Sequence, residues 1–103
     1  MELQVNMKTS AKEVFDELQS ALLKDIKTST GKSVSLEKLD KDYSYKKKLN
    51  NYLGNSVDLT VNIDKLNYPI EYSATISNSK GSNTVQYILN ENEDSVDIKY
   101  IEN

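Results

Sequence analysis

Residues 10–31, which read SAKEVFDELQSALLKDIKTSTG, decide the fold of this 103-residue chain. Ser10 followed by Glu13 is a capping box, in which each side chain bonds a backbone N–H of the other residue, and Gly31 is typical of a helix end. The apolar residues between them recur at helical spacing and predict one buried stripe: Ala11, Val14, Phe15, Leu18, Ala21, Leu22 and Ile26. We therefore predict one long N-terminal helix over residues 10–31.

Most of the remaining chain alternates apolar and polar residues, a period-two pattern that predicts β-strands. Leu3, Val5 and Met7 show this pattern before the helix and predict a half-buried first strand. Five more strands are predicted after the helix, at residues 43–50, 57–64, 70–77, 85–89 and 96–100. The connections predicted between them are a short helical turn near Leu36, a loop at 50–56, and turns at 66–69, at Lys80-Gly81 and at 91–94.

Folding each predicted hairpin about its turn brings apolar residues opposite one another, as cross-strand pairing requires. The predicted pairs are Leu49 with Val57, Tyr45 with Val61, Ile63 with Tyr72, Ala74 with Tyr87, and Leu89 with Val96. The predicted fold is a single α+β domain over residues 1–103, with one long helix packed on a curved antiparallel sheet of about six strands (β-α-β-β-β-β-β). The first strand is expected beside the last, which leaves residues 43–50 on the opposite edge.

The composition excludes several classes of function. The formal charge of −3 and the pI near 4.9 argue against binding to duplex nucleic acid, which needs a basic face. No apolar run is long enough to span a bilayer, and Met1-Glu2 does not begin a signal peptide. Because the chain has no cysteine, no disulfide indicates export, and we expect a cytoplasmic protein.

Catalytic chemistry has few candidates in this sequence. With neither His nor Cys, the chain cannot form a zinc finger, a Cys–His nucleophile or a Ser-His-Asp triad. No two carboxylates are expected to converge on one cleft, as glycosidase chemistry requires. We therefore predict that the protein is not an enzyme and that it needs no cofactor or metal.

The segment from Thr9 to Leu18, after a short strand, resembles the opening of START-like domains, the helix-grip superfamily of the birch pollen allergen. The segments 33–39 and 81–87 are similar to a small uncharacterised family of Gram-positive bacteria, known only as a domain of unknown function. The resemblance implies a curved antiparallel meander that surrounds a helix. START-like domains close with a long C-terminal helix, whereas this chain reaches Asn103 directly after its last predicted strand, so a helix-grip that lacks the C-terminal helix is expected.

Residues 43–48, Tyr-Ser-Tyr-Lys-Lys-Lys, are the one stretch that is both basic and aromatic. On a strand Lys47 shares the inward face with Tyr43 and Tyr45. The stretch is either an edge strand protected by lysines or a surface that binds single-stranded nucleic acid or a phosphate. As an inward lysine, Lys47 could also bind an acidic ligand. The inward tyrosines are likewise either core residues or pocket residues. The candidate ligand-contact residues are Tyr43, Tyr45, Lys47, Tyr72, Tyr87 and Tyr100.

Two functions follow from these residues. The first is a non-catalytic module that binds a small apolar or amphipathic ligand between helix and sheet. The alternative is a protein–protein interaction or dimerisation domain with no ligand.

A six-stranded sheet is roughly 24 Å wide and a helix covers only about 10–12 Å of it. Because the uncovered apolar face needs a partner, a homodimer is expected, with the outward Ile88 and Ile101 as a weaker second contact.

Overall fold

The computed structural model describes residues 1–40, 42–50, 54 and 56–103, and it confirms the predicted order of elements. One helix packs on a six-stranded antiparallel sheet. The elements are β1 (Glu2–Met7), α1 (Ala11–Thr30), a 3-10 turn (Leu36–Lys38), β2 (Ser44–Asn50), β3 (Ser56–Asn67), β4 (Glu71–Asn78), β5 (Gly81–Glu91) and β6 (Val96–Glu102). Most of the loop predicted at 50–56 lies outside the described residues. In the part of the chain that is described, no helix is long and apolar enough to cross a membrane.

The strands lie in the order β1-β6-β5-β4-β3-β2, and every neighbouring pair is antiparallel. The prediction that the first strand lies beside the last is confirmed, and β2 forms the opposite edge. The four hairpins from β2 to β6 are consecutive in the chain, so these strands form a meander, and β1 adds the sixth strand beside β6.

Two of the five predicted cross-strand pairs are confirmed and three are wrong by two residues. Leu49 lies opposite Val57 and Tyr45 opposite Val61. The other three predicted pairs are replaced by Ile63 with Ala74, Ala74 with Val85, and Leu89 with Ile98. A two-residue shift leaves every side chain on its predicted face, so the inward and outward sets are unchanged.

Local turn chemistry explains the shifts. The Asn78 side chain accepts hydrogen bonds from the backbone N–H groups of Lys80 and Gly81, at 2.7 and 3.1 Å, which places the β4–β5 turn one residue earlier than predicted. In β3 a bulge at residue 64 shifts the register between Ile63 and Lys65. The strand then continues into the predicted turn at 66–69 and ends at Asn67. The β5–β6 turn closes with a 2.7 Å bond from the Asn92 N–H to the Ser95 carbonyl, one residue later than predicted.

The helix begins and ends where the sequence predicts. The Ser10 hydroxyl accepts a hydrogen bond from the Glu13 N–H at 3.1 Å. Gly31 adopts a φ of 77° and donates its N–H to the Lys27 carbonyl at 2.9 Å. The second half of the predicted capping box is different, because the Glu13 carboxylate accepts its hydrogen bond from the Thr9 hydroxyl.

The helix packs on one face of the sheet, called here the inner face, through two buried clusters. The N-terminal cluster contains Ala11, Phe15, Leu89 and Val96. The C-terminal cluster contains Leu22, Ile26, Leu39, Tyr45, Val61, Ile63 and Ala74. Of the predicted helical stripe, Val14 and Leu18 are half-buried and Ala21 is exposed. The helix therefore crosses the sheet from the β5–β6 turn to β2, and its Val14–Ala21 flank borders the rest of the inner face.

A large part of the inner face has no cover in the described residues. The prediction of a half-buried first strand is wrong, because all six residues of β1 are exposed. Leu3, Val5 and Met7 are 53%, 53% and 46% exposed and lie opposite inner-face residues of β6. At the other side of the sheet Leu49 and Val57 are 51% and 39% exposed. One helix is too narrow to cover six strands, which is the physical reason.

Candidate functional site

Asp25, on the last third of α1, connects the helix to the edge strand β2. Its carboxylate accepts a hydrogen bond from the Tyr45 hydroxyl at 2.5 Å and two from the Lys47 ammonium at 3.1 and 3.3 Å. Tyr45 and Lys47 stand two residues apart on one strand, so their side chains share the inner face. Asp25, Tyr45 and Lys47 thus form one hydrogen-bonded cluster on the inner face.

Burial divides the cluster into an inner and an outer part. Tyr45 is 6% exposed, and its burial and the hydrogen bond to Asp25 raise the pKa of its hydroxyl well above the ordinary value. The side chains of Lys47 and Asp25 remain 23% and 36% exposed. The buried Tyr45 hydroxyl therefore bonds the Asp25 carboxylate from the core side, and the Lys47 ammonium remains accessible at the rim of the core.

Three tyrosines form one row across the middle of the sheet. Tyr72 lies opposite Tyr87, and Tyr87 lies opposite Tyr100. The ring centroids are 6.1 and 4.9 Å apart. Burial, followed by the neighbouring Tyr87, raises the pKa of Tyr72 to about 12. The row continues to Leu3 on β1, so it links the helix-covered core to the exposed edge of the inner face.

An open groove of about 590 Å³ lies on the inner face beside the Asp25–Lys47 pair. Apolar side chains of Leu49, Leu59 and Ile76 line it from β2, β3 and β4. Lys47 and Lys80 line it as well, together with polar residues of the β4–β5 hairpin. In the part of the chain that the structure describes, no residue forms an ion pair with Lys80. The groove thus combines an apolar surface with two ammonium groups.

The six predicted contact residues do not form one site. Tyr45 lies within the C-terminal cluster under the helix, and Tyr43 and Tyr72 pack against it. Tyr87 and Tyr100 belong to the tyrosine row. Lys47 alone among the six lines the groove.

Asp25 is the functional candidate that sequence reasoning missed. The available signal was its position on the helix, because Asp25 lies four residues after Ala21, on the flank of the apolar stripe that Val14 and Leu18 share. An acid on that flank is placed against the open side of the sheet. Leu59, Ile76 and Lys80 were recognised as strand and turn residues, but their convergence depends on the hairpin registers.

No group of three or more acidic side chains among the described residues is arranged to hold a metal ion. Asp16, an exposed carboxylate in the first half of the helix, has two hydrogen-bond partners. Hydrogen bonds from Lys12 at 2.9 Å and from the Tyr68 hydroxyl at 2.9 Å hold its pKa below the usual range. The exposed Asp16–Tyr68 contact connects the helix to the β3–β4 turn, and we do not regard it as a binding site.

Comparison with known proteins places the whole chain in one family but gives no activity. The family described as a domain of unknown function (DUF3284) matches residues 1–103. Among curated proteins, none matches the chain.

Solved bacterial structures share the fold at low sequence identity. A protein from Mycobacterium smegmatis is 11% identical with a TM-score of 0.60, over 98% of this chain and 69% of its own. An uncharacterised protein from Rhizobium leguminosarum is 8% identical with a TM-score of 0.67, over 99% and 73%. A conserved protein from Geobacillus kaustophilus is 20% identical with a TM-score of 0.62, over 99% and 70%. These likenesses show the fold alone.

Proposed function

This chain belongs to the DUF3284 family, whose function is unknown, and we propose from its own geometry that it binds a small amphipathic ligand with an acidic head group. The observation that carries the proposal is the groove, where an apolar surface of Leu49, Leu59 and Ile76 lies between Lys47 and Lys80. An apolar tail fits the surface, and a carboxylate or phosphate pairs with an ammonium group at its rim. No catalytic step is part of the proposal.

The Asp25–Lys47 pair orients the ammonium group that an anionic head group contacts in this proposal. Asp25 positions the lysine at the rim by a 3.1 Å contact and neutralises it while the groove is empty. An acidic ligand then meets an ammonium that is already oriented, which lowers the entropy lost on binding, although the neighbouring Asp25 carboxylate repels the ligand's charge. Lys80 supplies a second positive charge from the hairpin turn.

The START-like resemblance supports the same proposal. In that superfamily the space between helix and sheet is the expected ligand site, and here the helix leaves part of that space open. We also propose that the chain is a member of the START-like superfamily, that it comes from a Gram-positive bacterium, and that it is located in the cytoplasm. The tyrosines Tyr87 and Tyr100 face the same open side, where a longer apolar tail reaches them.

Titration with decanoate and with decanol tests this function, because the two ligands share a tail length and differ in charge. We expect NMR shift changes to concentrate at Leu49, Leu59 and Ile76, and decanoate to bind about tenfold more tightly than decanol. Lys47→Met should remove most of that difference. Lys46→Met, on the opposite face of the same strand, is the matched control and should leave it unchanged. Equal binding of both ligands, or shift changes confined to the outer face, would contradict the proposal.

The alternative function, an interaction domain with no ligand, is favoured by a different observation. Leu3, Val5 and Met7 are about half exposed on a strand that has β6 as its only neighbour among the described residues. Exposed apolar side chains on a sheet edge are typical of protein contacts. If neither ligand binds, this edge becomes the functional surface of the chain.

A further inference from the structure

The two edges of the sheet differ in how they resist pairing with another strand. The edge strand β2 carries Lys46, Lys47 and Lys48 in succession, and lysines on an edge strand discourage intermolecular pairing. The edge strand β1, Glu2–Met7, has no lysine, no proline and no bulge in its pairing with β6. Its inner face is apolar and exposed. The sheet is therefore protected on one edge and open on the other.

The open edge presents a defined set of backbone hydrogen-bonding groups. Met1 and Glu102 exchange two hydrogen bonds, from the Met1 amine to the Glu102 carbonyl and from the Glu102 N–H to the Met1 carbonyl, at 2.8 Å each. In an antiparallel pair the bonded residues alternate along the strand. Residues 3, 5 and 7 therefore direct their backbone groups toward β6. Glu2, Gln4 and Asn6 direct theirs to the free edge.

We propose that a second copy of this chain pairs with that edge, β1 against β1 in antiparallel orientation, with Gln4 opposite Gln4 of the second copy. This register places Glu2 opposite Asn6 of the second copy and uses all three outward-directed residues on each strand, which gives six intermolecular hydrogen bonds. The two-fold axis is perpendicular to the sheet. The two sheets become one sheet of twelve strands.

The side chains of β1 are complementary to themselves in this register. On the inner face Leu3 lies opposite Val5 of the second copy, so the exposed apolar residues of both strands form one continuous stripe. On the outer face the acidic Glu2 meets the neutral Asn6, so no like charges oppose each other. A shift by two residues in either direction leaves Glu2 or Asn6 without a partner and reduces the six hydrogen bonds to four. This self-complementarity favours a second copy of the chain as the strand that pairs with β1.

Charge substitutions at Gln4 test the register directly. Gln4 is exposed on the outer face, so Gln4→Lys and Gln4→Glu leave the monomer core untouched. In the proposed dimer each variant places two like charges opposite each other, and we expect each to weaken dimerisation at least tenfold in sedimentation measurements. An equimolar mixture of the two variants places opposite charges together, so it should recover an affinity within a few-fold of the parent. Lys48→Glu, on the other edge strand, is the control and should dimerise like the parent.

A cysteine substitution provides a second readout that does not depend on charge. The chain has no cysteine, and the Cα atoms of a hydrogen-bonded antiparallel pair are about 5.5 Å apart, a distance that a disulfide spans. Oxidised Gln4→Cys should therefore give a covalent dimer, and Lys48→Cys should not. A parent chain that stays monomeric up to several hundred micromolar would overturn the proposal. So would like-charge variants that dimerise as well as the parent, or a mixture that shows no recovery. All measurements omit ligand, so their outcome is independent of the proposed ligand site.

Discussion

The carboxylate of Asp25 on the helix lies 3.1 Å from the ammonium of Lys47 on the edge strand β2. The same carboxylate accepts the Tyr45 hydroxyl, so one helical residue holds two side chains of the strand. Because both charged groups are partly exposed, water screens their attraction, and such pairs contribute about 0.2–1 kcal/mol to stability. The pair matters more for the position and charge of Lys47 than for the stability of the fold.

Asp25→Asn should separate the effect of Asp25 on ligand binding from its effect on the stability of the fold. The substitution removes the negative charge beside Lys47, so we expect decanoate to bind several-fold more tightly. The free energy of unfolding should fall by about 1 kcal/mol, because a charge-assisted hydrogen bond from Tyr45 is weakened. Calorimetric titration and urea unfolding measure the two effects. Glu17→Gln, which changes an exposed helical acid that does not line the groove, is the control. Unchanged or weaker decanoate binding in Asp25→Asn would contradict this prediction.

Phe15→Ala should cost about 3–5 kcal/mol of the free energy of unfolding, the usual cost of removing a buried aromatic ring. Phe15 is 0% exposed in the N-terminal cluster, and its ring meets that of Tyr68 edge to face at 5.3 Å. Urea unfolding measures the loss. Leu36→Ala is the matched control, because Leu36 is 51% exposed, and it should change stability by less than about 0.5 kcal/mol. A loss near 1 kcal/mol for Phe15→Ala would mean that the helix does not pack by this face.

Glu91→Ala should destabilise the start of the helix from a distant part of the chain. The Glu91 carboxylate at the end of β5 accepts the Ala11 N–H at 2.9 Å, one of the donors that a helix leaves unpaired at its N-terminus. We expect a loss of about 1 kcal/mol, similar to that of Ser10→Ala, which removes the N-cap. Glu93→Ala changes an exposed acid in the adjacent turn and should have little effect. Thermal unfolding of the three variants distinguishes the tertiary cap from a general effect of charge.

The order of elements and the inward and outward faces could be predicted because they depend on short-range patterns. The capping residues Ser10 and Gly31 mark the helix, and alternation marks each strand. The registers of three hairpins could not be predicted by matching apolar residues. Alternation has a period of two, so Ala74 finds an apolar partner in Val85 as well as in Tyr87. The Asn78 side chain, which bonds the turn backbone, favours the pairing with Val85.

Only part of the candidate site could be predicted, because short-range patterns do not show which distant residues meet. Lys47 was recognised from its own strand, as an inward lysine between apolar neighbours. Its partner Asp25 lies 22 residues away on another element, and no local pattern connects the two. The tyrosines were placed on the correct face, but the path of the helix across the sheet decides which are covered. That path depends on packing between distant elements, so Tyr45 becomes core and Lys47 remains at a rim.

The stability of the fold should fall as the pH rises above about 10, because buried tyrosines keep their protons in the folded chain. Burial raises the pKa of Tyr72 to about 12, whereas an unfolded tyrosine titrates near 10. Between these values the unfolded state binds fewer protons than the folded state, so the free energy of unfolding decreases with pH. One such tyrosine contributes a slope of up to about 1.4 kcal/mol per pH unit.

Tyr72→Phe should remove this contribution, because phenylalanine has no proton to lose in either state. At pH 8 the variant and the parent should differ by no more than about 1 kcal/mol, since the tyrosine is neutral in both states there. Between pH 10 and 12 the parent should lose stability faster than the variant, and the difference between their urea midpoints should shift in favour of the variant. Tyr45→Phe should shift it in the same direction, because burial and Asp25 raise the pKa of Tyr45 as well. Parallel pH profiles for the parent and both variants would show that these hydroxyls reach water in the folded chain, and that the helix does not cover the tyrosines of β2 and β4.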